Sequence, residues 1–282
     1  MKKGFLKNIL TLGIIGLISG GLVGCGSNTE SNSEVTSVSN SQGVNSLEKI
    51  KETGKLVIGM SADYAPYEFH KVIDGKDEVV GFDVDIANEI AESLGVKLEI
   101  TEMDFGMLIA ALQTGKIDMI VSGMSPNDER RENVDFSDIY YEATQSVLVL
   151  DSDKETYTTL ESLANKKIGA QMGTIQVSIA EEQIENATIT ELTKVSQLVT
   201  ELKSNKVNAV IVEKPVAETI LKSNDDLFLT DIDIKYEDGG AAIAVKKGSD
   251  DLLNEINEII DELKNSGKID EFVVNANELA SN

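Results

Sequence analysis

Two hydroxyl groups and a guanidinium lie within nine residues of each other, at Ser122, Ser125 and Arg130. A largely apolar run over residues 117–121 comes directly before them and is typical of a buried strand. Gly123 ends that run, and its lack of a side chain lets another group approach the backbone closely. Hydroxyls, free N–H groups and a guanidinium at the end of a strand together suit a carboxylate.

The residues after this strand end indicate the start of a helix. Ser125 can cap free N–H groups, Pro126 is preset for the first helical turn, and Asp128 favours the positive helix end. We therefore expect Ser125 to cap a helix that carries Arg130. The simpler alternative, which the segment favours when taken alone, is a strand, a turn and a solvated helix start.

A second segment repeats this pattern. Residues 107–123 align without a gap on residues 197–213, with a helix face and a buried strand at matching positions. Gly115 matches Asn205, and these are the two residue types that most readily take the left-handed conformation that ends a helix. The repeat places Glu213 at an equivalent strand end. Because ligands in open α/β sheets bind beyond the carboxyl ends of strands, the two ends predict a cleft with a carboxylate on one side and a cation on the other.

Three further residues are candidates for the wall of that cleft. Tyr64 follows a predicted strand over residues 55–60, in a proline-containing loop that could instead be a packed turn. Phe105 opens the helix before the first strand end, where it suits either the core or the cleft. Thr174 follows a predicted strand over residues 167–171 and again offers N–H groups at a helix start, although a plain turn is the alternative.

The N-terminus is typical of an exported lipoprotein. Three lysines precede an apolar stretch over residues 9–23, which is too short and too glycine-rich for a convincing membrane span. This stretch ends at Cys25 with a sequence, LVGC, that resembles a bacterial lipoprotein box. The resemblance implies a signal peptide over residues 1–24, lipid attachment at Cys25, and a location on the outer face of the cell membrane. A polar tether over residues 25–45 would follow.

The charge and the rare residue types exclude several functions. The formal charge is −24, and removal of residues 1–24 would leave 22 basic and 49 acidic residues, or −27, which argues against a nucleic-acid partner. The single cysteine cannot form a disulfide framework, and we interpret the single histidine, His70, as a surface residue. One histidine and one lipidated cysteine make no metal constellation, and we expect neither a metal nor a cofactor.

With these pieces in order, the chain resembles the solute-binding proteins of polar-amino-acid ABC importers, bacterial extracellular solute-binding protein family 3. The resemblance covers essentially the whole chain after the tether. Its most specific motifs are APYEF at residues 65–69, VGFDVDIA at 80–87, the segment 122–130, FSDIYY at 136–141 and GAQMGT at 169–174.

The family implies an α/β, two-lobed periplasmic-binding-protein-like fold of type II, joined by two crossing hinge strands that close it on a ligand. The first lobe would comprise residues 46–145 plus 242–282, and the second residues 146–241. The runs at residues 145–150 and 241–245 are the expected crossing strands.

The resemblance also implies which residues hold the α-carboxylate of an amino acid. Gly123, Ser125 and Arg130 would bind it, helped by the N–H group of Thr174.

Other residues would bind the α-amino group and the side chain of the amino acid. Ser122 and Glu213 would take the amino group, although the family usually has aspartate where Glu213 stands. Tyr64 and Phe105 would sandwich the ligand side chain, and Ser61 would face it. Relatives that prefer lysine or arginine often have an acid at the position of Ser61.

The implied function is extracytoplasmic capture of a free L-amino acid by a monomer that serves an ABC permease and its ATPase. Asp63, Glu68 and the acidic surface favour arginine or lysine, whereas Ser61 favours glutamine, so the expected order is arginine, lysine, glutamine. We do not expect an enzyme. The alternatives are a dehydratase on the same fold, with Glu68 or Glu213 as the acid or base, and a ligand-sensing domain.

Overall fold

The computed structural model describes residues 45–236 and 239–281. The predicted signal peptide, the lipidation of Cys25 and nearly all of the tether lie outside these residues and stay predictions. Within the described ranges, none of the helices combines the length and the apolar character that a membrane crossing requires.

Helices and strands alternate through most of the chain, as a predicted α/β fold requires. The α-helices are α1 (Ser46–Thr53), α2 (Phe82–Ser93), α3 (Leu108–Gln113), α4 (Asp128–Asn133), α5 (Ile175–Gln183), α6 (Val195–Lys203), α7 (Lys214–Leu221), α8 (Asp250–Asn265) and α9 (Lys268–Ser281). The strands are β1 (Lys55–Met60), β2 (Asp63–Tyr64), β3 (Glu68–Ile73), β4 (Lys76–Val80), β5 (Lys97–Glu102), β6 (Met119–Ile120), β7 (Val134–Tyr141), β8 (Gln145–Leu150), β9 (Lys167–Gln171), β10 (Thr188–Leu192), β11 (Ala209–Glu213), β12 (Leu227–Leu229) and β13 (Ala241–Lys246).

The strands form two five-stranded sheets, one in each lobe. The first sheet has the order β5-β1-β6-β13-β7, and the second has the order β10-β9-β11-β8-β12. In each sheet the parallel strands come first and the antiparallel strands last. The short strands β2, β3 and β4 form a separate hairpin sheet. The two-lobed α/β architecture expected from the sequence is therefore confirmed.

The internal repeat is present in the structure as two equivalent units. Helix α3 leads through Gly115, with a φ of 71°, into β6, and helix α6 leads through Asn205, with a φ of 57°, into β11. Both strands are buried, and each lies between a parallel strand and an antiparallel strand. The helix-ending conformation predicted for both residues is thus confirmed.

The two runs predicted to cross between the lobes are ordinary sheet strands. Strand β8 pairs with β11 and β12, and β13 pairs with β6 and β7. Their ladder hydrogen bonds place β8 in the second sheet and β13 in the first. For the lobe boundaries we keep residues 46–145 plus 242–282, and 146–241, as a proposal.

The predicted helix cap at Ser125 is wrong. Helix α4 begins at Asp128, and its cap is Asn127, whose side-chain oxygen accepts a hydrogen bond of 2.8 Å from the N–H group of Arg130. Asn127, two residues after the serine, supplies the capping oxygen for the free N–H groups at the helix start, and the helix therefore begins later than predicted. The hydroxyl of Ser125 is thereby released from a capping role.

Candidate functional site

A cavity lies where the carboxyl ends of β6 and β11 face each other. Its wall combines aromatic side chains with convergent polar and charged groups, which is typical of a small-molecule site. All nine residues predicted to bind the ligand line it: Ser61, Tyr64, Phe105, Ser122, Gly123, Ser125, Arg130, Thr174 and Glu213. Four more wall residues are Glu68, Gln171, Ile175 and Gln176.

Arg130 supplies a buried positive charge at one end of the cavity. Its guanidinium donates to the carbonyl of Ser125 at 2.6 Å and to the carbonyl of Gly173 at 3.0 Å, and it lies 5.3 Å from the ring centre of Phe105. Burial lowers its pKa to about 10, which leaves it protonated at neutral pH. Among the described residues no carboxylate forms an ion pair with it, and a buried charge without a counter-ion favours an anionic ligand.

Hydrogen-bond donors surround this guanidinium. Ser125 is buried, and within the part of the chain that the structure describes its hydroxyl has no hydrogen-bond partner. Helix α5 starts at Ile175 with Thr174 as its cap residue, and the first N–H groups of a helix have no partner within it. The N–H group of Thr174 itself donates to Gln171 at 3.2 Å. Donors for an anion are therefore Ser125 and the first turn of α5.

Gly123 occupies a position that only glycine fits easily. Its φ is 53°, and a side-chain carbon there would lie 3.3 Å from the ring of Tyr67 and 3.5 Å from that of Tyr64. Its N–H group donates to the buried carboxylate of Asp83 at 2.7 Å, which commits this donor to the protein. The predicted contact between Gly123 and a ligand carboxylate therefore has no free N–H group in this structure.

Glu213 supplies a buried acid at the opposite end. Its carboxylate accepts a hydrogen bond from the hydroxyl of Tyr67, and its backbone N–H group donates to the hydroxyl of Tyr64 at 3.2 Å. Burial raises its pKa to about 7, an effect that the hydrogen bond from Tyr67 partly offsets. Although Glu213 precedes α7, its side chain makes no capping hydrogen bond, so it is directed to Tyr67 and not to the helix.

A second acid, Glu68, shares this end of the cavity. The hydroxyl of Ser122 donates to one carboxylate oxygen of Glu68 at 2.5 Å and accepts from the N–H group of Ser61 at 3.0 Å. The carboxyl group of Glu68 also lies beside that of Asp83, and a hydrogen bond between the two requires that one of them is protonated. Burial, followed by the nearby charge of Asp83, raises the pKa of Glu68 well above its ordinary value.

The aromatic candidates line the cavity from the first lobe. Tyr64 is half-buried, while Phe105 is buried and also packs in a core cluster with Leu108. Both interpretations of Phe105, core and cleft lining, therefore apply. His70 is exposed, as expected, and pairs with Asp77 and Glu102 outside the cavity.

The two lobes are closed over the cavity. Tyr64 and Tyr67 reach Glu213, Arg130 reaches the carbonyl of Gly173, and a side-chain carbon placed on Gly173 would lie 2.8 Å from the Cα atom of Gly106. The glycine pair allows the two edges to touch without side chains between them.

Sequence reasoning missed three wall residues, Gln171, Ile175 and Gln176. All three flank Thr174, and the first turn of a helix exposes successive N–H groups. The prediction of a binding turn at Thr174 could therefore have been extended to its neighbours.

Residues 56–275 match the model of one protein family, the "Bacterial extracellular solute-binding proteins, family 3". The arginine-binding extracellular protein ArtP of Bacillus subtilis is 39% identical over 223 residues, which cover 77% of this chain and 84% of ArtP. The glutamine-binding protein GlnH of the same organism is 32% identical over 271 residues, which cover 95% of this chain and 96% of GlnH.

A solved structure agrees with these relatives. The amino-acid ABC transporter substrate-binding protein AbpA of Streptococcus pneumoniae, bound to L-arginine, superposes with a TM-score of 0.81 at 41% identity, over 83% of this chain and 99% of AbpA. The fold is thus the type II periplasmic-binding-protein fold of amino-acid binders. The matched length, the identities and the fold together establish that this chain belongs to the bacterial extracellular solute-binding proteins of family 3.

Proposed function

We propose that this protein captures a free L-amino acid, with arginine preferred, outside the cytoplasmic membrane and delivers it to an ABC permease and its ATPase. One observation carries the proposal: a single closed cavity has an unpaired buried guanidinium at one end and buried carboxylates at the other. A zwitterion satisfies both ends at once, since each desolvated charge gains its partner.

At the cationic end, the ligand carboxylate would lie between Arg130 and the start of α5. Arg130 has donors left after its two hydrogen bonds to backbone carbonyls, because a guanidinium carries five. The hydroxyl of Ser125 and the first N–H groups of α5 add neutral donors, with Thr174 as the residue at the turn.

At the acidic end, the ligand ammonium would lie against Glu213, close to Ser122. Because the N–H group of Gly123 is taken by Asp83, we revise its role from binding the carboxylate to accepting a hydrogen bond from the ammonium through its carbonyl. The longer side chain of glutamate, in place of the usual aspartate, is held by Tyr67.

The side chain of the ligand would lie between Tyr64 and Phe105, with Ser61 facing it. The neighbouring acids Glu68 and Asp63 support a cationic side chain, because acidic surroundings favour a positive charge. Arginine is the stronger candidate than lysine because its flat guanidinium also stacks on aromatic rings. The name of ArtP and the L-arginine bound to AbpA support arginine, and the name of GlnH supports glutamine as the next candidate.

Titration calorimetry with L-arginine, L-lysine, L-glutamine and L-glutamate tests this ranking. We expect arginine to bind tightest and to stabilise the protein by about 4 kcal/mol at a thousandfold excess over its Kd. Tight binding of glutamate, or of an aliphatic amino acid while arginine is inert, would contradict the proposed ligand.

We also propose that Cys25 anchors a monomeric protein to the outer face of the membrane. The proposal rests on the LVGC motif and on the tether composition of residues 26–45. Replacement Cys25→Ser should release the protein from the membrane fraction of the producing cell. Its retention in that fraction would contradict the lipid anchor and leave amino-acid binding untouched.

A further inference from the structure

Asp63 connects the two lobes without lining the ligand cavity. It lies on β2 beside Tyr64, in the first lobe, yet its carboxylate accepts a hydrogen bond of 2.7 Å from the N–H group of Val195 in the second. Its other oxygen accepts from the side-chain amide of Gln171, also in the second lobe, at 3.2 Å, and from the hydroxyl of Ser61 at 3.3 Å. The carboxylate of Asp63 faces an outer groove at the mouth of the cleft.

Val195 is the first residue of helix α6, and this helix has no cap of its own. The preceding residue, Lys194, has an extended backbone with φ −127° and ψ 137°, and its side chain makes no capping hydrogen bond. The first N–H groups of a helix need an external partner, and a carboxylate is favoured there by the positive helix end. The cap of a second-lobe helix is therefore supplied by the first lobe.

Gln171 joins this contact to the cavity. Its side-chain amide donates both to Asp63 and to the carbonyl of Thr193 at 3.0 Å, while the residue itself forms part of the cavity wall. A ligand that packs against Gln171 would thus support the side chain that holds Asp63.

We propose that Asp63 is a latch: a positioning residue that holds the lobes closed on the ligand and slows ligand release without touching the ligand. Because Val195 and Gln171 belong to the opposite lobe, their hydrogen bonds to Asp63 form only when the lobes are together. Separation of the lobes would return both Asp63 and the first turn of α6 to water. The latch rests on the proposed function in one respect, namely that an amino acid drives the closure.

The test uses two changes that break the same hydrogen bond from opposite sides. Asp63→Ala removes the acceptor. Val195→Pro removes the donor, because proline lacks an N–H group yet is tolerated at the first position of a helix, and the extended backbone of Lys194 is compatible with a following proline.

Two further variants serve as matched controls. Val195→Ala shortens the same buried side chain but keeps the N–H group. Asp104→Ala removes an exposed acid from the same outer groove, and within the described residues the Asp104 side chain has no hydrogen bond.

The readouts are the Kd and the dissociation rate of L-arginine. Asp63→Ala and Val195→Pro should each raise both by roughly 10-fold, as expected for loss of a hydrogen bond to a charged group. The double variant should be no weaker than the weaker single variant, because the two changes remove one interaction. Both control variants should stay within about threefold of the unaltered protein, Asp104→Ala because it changes an exposed residue and Val195→Ala because it keeps the N–H group that Asp63 binds.

Three results would overturn the latch. These are an unchanged dissociation rate in Asp63→Ala, multiplicative losses in the double variant, and an equal loss in Asp104→Ala. A purely structural role of Asp63 would lower the melting temperature of the ligand-free protein and leave the dissociation rate unchanged.

Failure of the proposed function gives a different result, namely that L-arginine, L-lysine and L-glutamine all fail to bind the unaltered protein. The latch is then judged by hydrogen exchange of the Val195 amide in the ligand-free protein. Slower exchange in the unaltered protein than in Asp63→Ala supports it, and equal exchange overturns it.

Discussion

The two copies of the internal repeat have the same backbone and opposite chemistry. Each consists of a helix, a left-handed residue and a buried strand, and each strand ends at the cavity. After β6 the chain continues through two serines to the guanidinium of Arg130, whereas β11 ends in the carboxylate of Glu213. One scaffold used twice thus creates complementary subsites, and the few residues beyond each strand decide which charge is bound.

The largest expected effect is at the cationic strand end. Arg130→Ala should cost roughly 2–5 kcal/mol of L-arginine binding free energy, because a desolvated ligand carboxylate loses its partner. Arg131→Ala is the matched control, since its exposed guanidinium stacks on Phe136 outside the cavity and its loss should have almost no effect. Equal losses in the two variants, measured by calorimetry, would contradict the assignment.

The second-largest loss of binding free energy should come from the acidic strand end. Glu213→Gln keeps the shape but removes the charge that faces the ligand ammonium, and we expect a loss of about 1.5–3 kcal/mol in binding free energy. Glu218→Gln, an exposed glutamate on the following helix, is the control. If Glu213→Gln bound L-arginine as tightly as the unaltered protein, the ammonium subsite would have to lie elsewhere.

The pH dependence of binding should come from the acidic end. The pKa of Glu213 is raised to about 7 by burial, so its ionised fraction falls as the pH drops below 7. A ligand ammonium needs the ionised form, and the Kd should therefore rise with falling pH, by at most about tenfold per unit from this group.

Glu213→Gln distinguishes the titration of Glu213 from that of the neighbouring acids. Burial also raises the pKa values of these acids, to about 6 in Asp83. The variant should have a shallower pH profile between pH 5 and 8. An identical slope in both proteins would show that Glu213 does not titrate with binding.

The smallest effects should come from the shared scaffold. Gly115→Asn places in the first copy the residue type that the second copy has at Asn205, and it should change the free energy of unfolding by less than about 1 kcal/mol. Gly115→Val should cost about 1–2 kcal/mol, because a branched side chain disfavours the left-handed conformation. No atom lies within 4 Å of a side-chain carbon at Gly115, so contact with neighbours adds nothing. Denaturant unfolding measures both, and a larger loss for asparagine than for valine would contradict the equivalence.

Much of the cavity wall could be predicted from the sequence because strand ends and helix starts are local features. The apolar run before Ser122 and the small residues after it are visible in the chain, and the repeat connects them to Glu213 in space. The same argument holds for Thr174, whose turn follows a strand over five residues. Two-lobed α/β folds bind ligands at such ends, so the positions follow from the fold.

Long-range hydrogen bonds could not be predicted in this way. The N–H group of Gly123 is taken by Asp83, which lies 40 positions earlier in the chain, and Asp63 contacts a helix 132 positions later. The first pairing depends on the folding of one lobe and the second on the closure of both, and neither leaves a periodic pattern in the sequence.

Competition between neighbouring capping residues also limited the prediction of where helices begin. Ser125 and Asn127 are both good capping residues, and only the backbone path decides between them. At the C-terminus, helix α9 runs from Lys268 to Ser281 without a clear apolar periodicity in its sequence. Its buried residues are few and widely spaced, Ile269 and Ala276, which weakens the periodic signal.

The central claim is that one end of the cavity recognises a carboxylate and the other an ammonium group. A calorimetric comparison of L-arginine with agmatine, its decarboxylated analogue, in the unaltered protein and in Arg130→Ala tests it most directly. We predict that agmatine binds at least about 30-fold more weakly to the unaltered protein, corresponding to 2 kcal/mol or more, and that Arg130→Ala removes most of this difference. Equal affinity for the two ligands, or a difference that persists in Arg130→Ala, would contradict the claim.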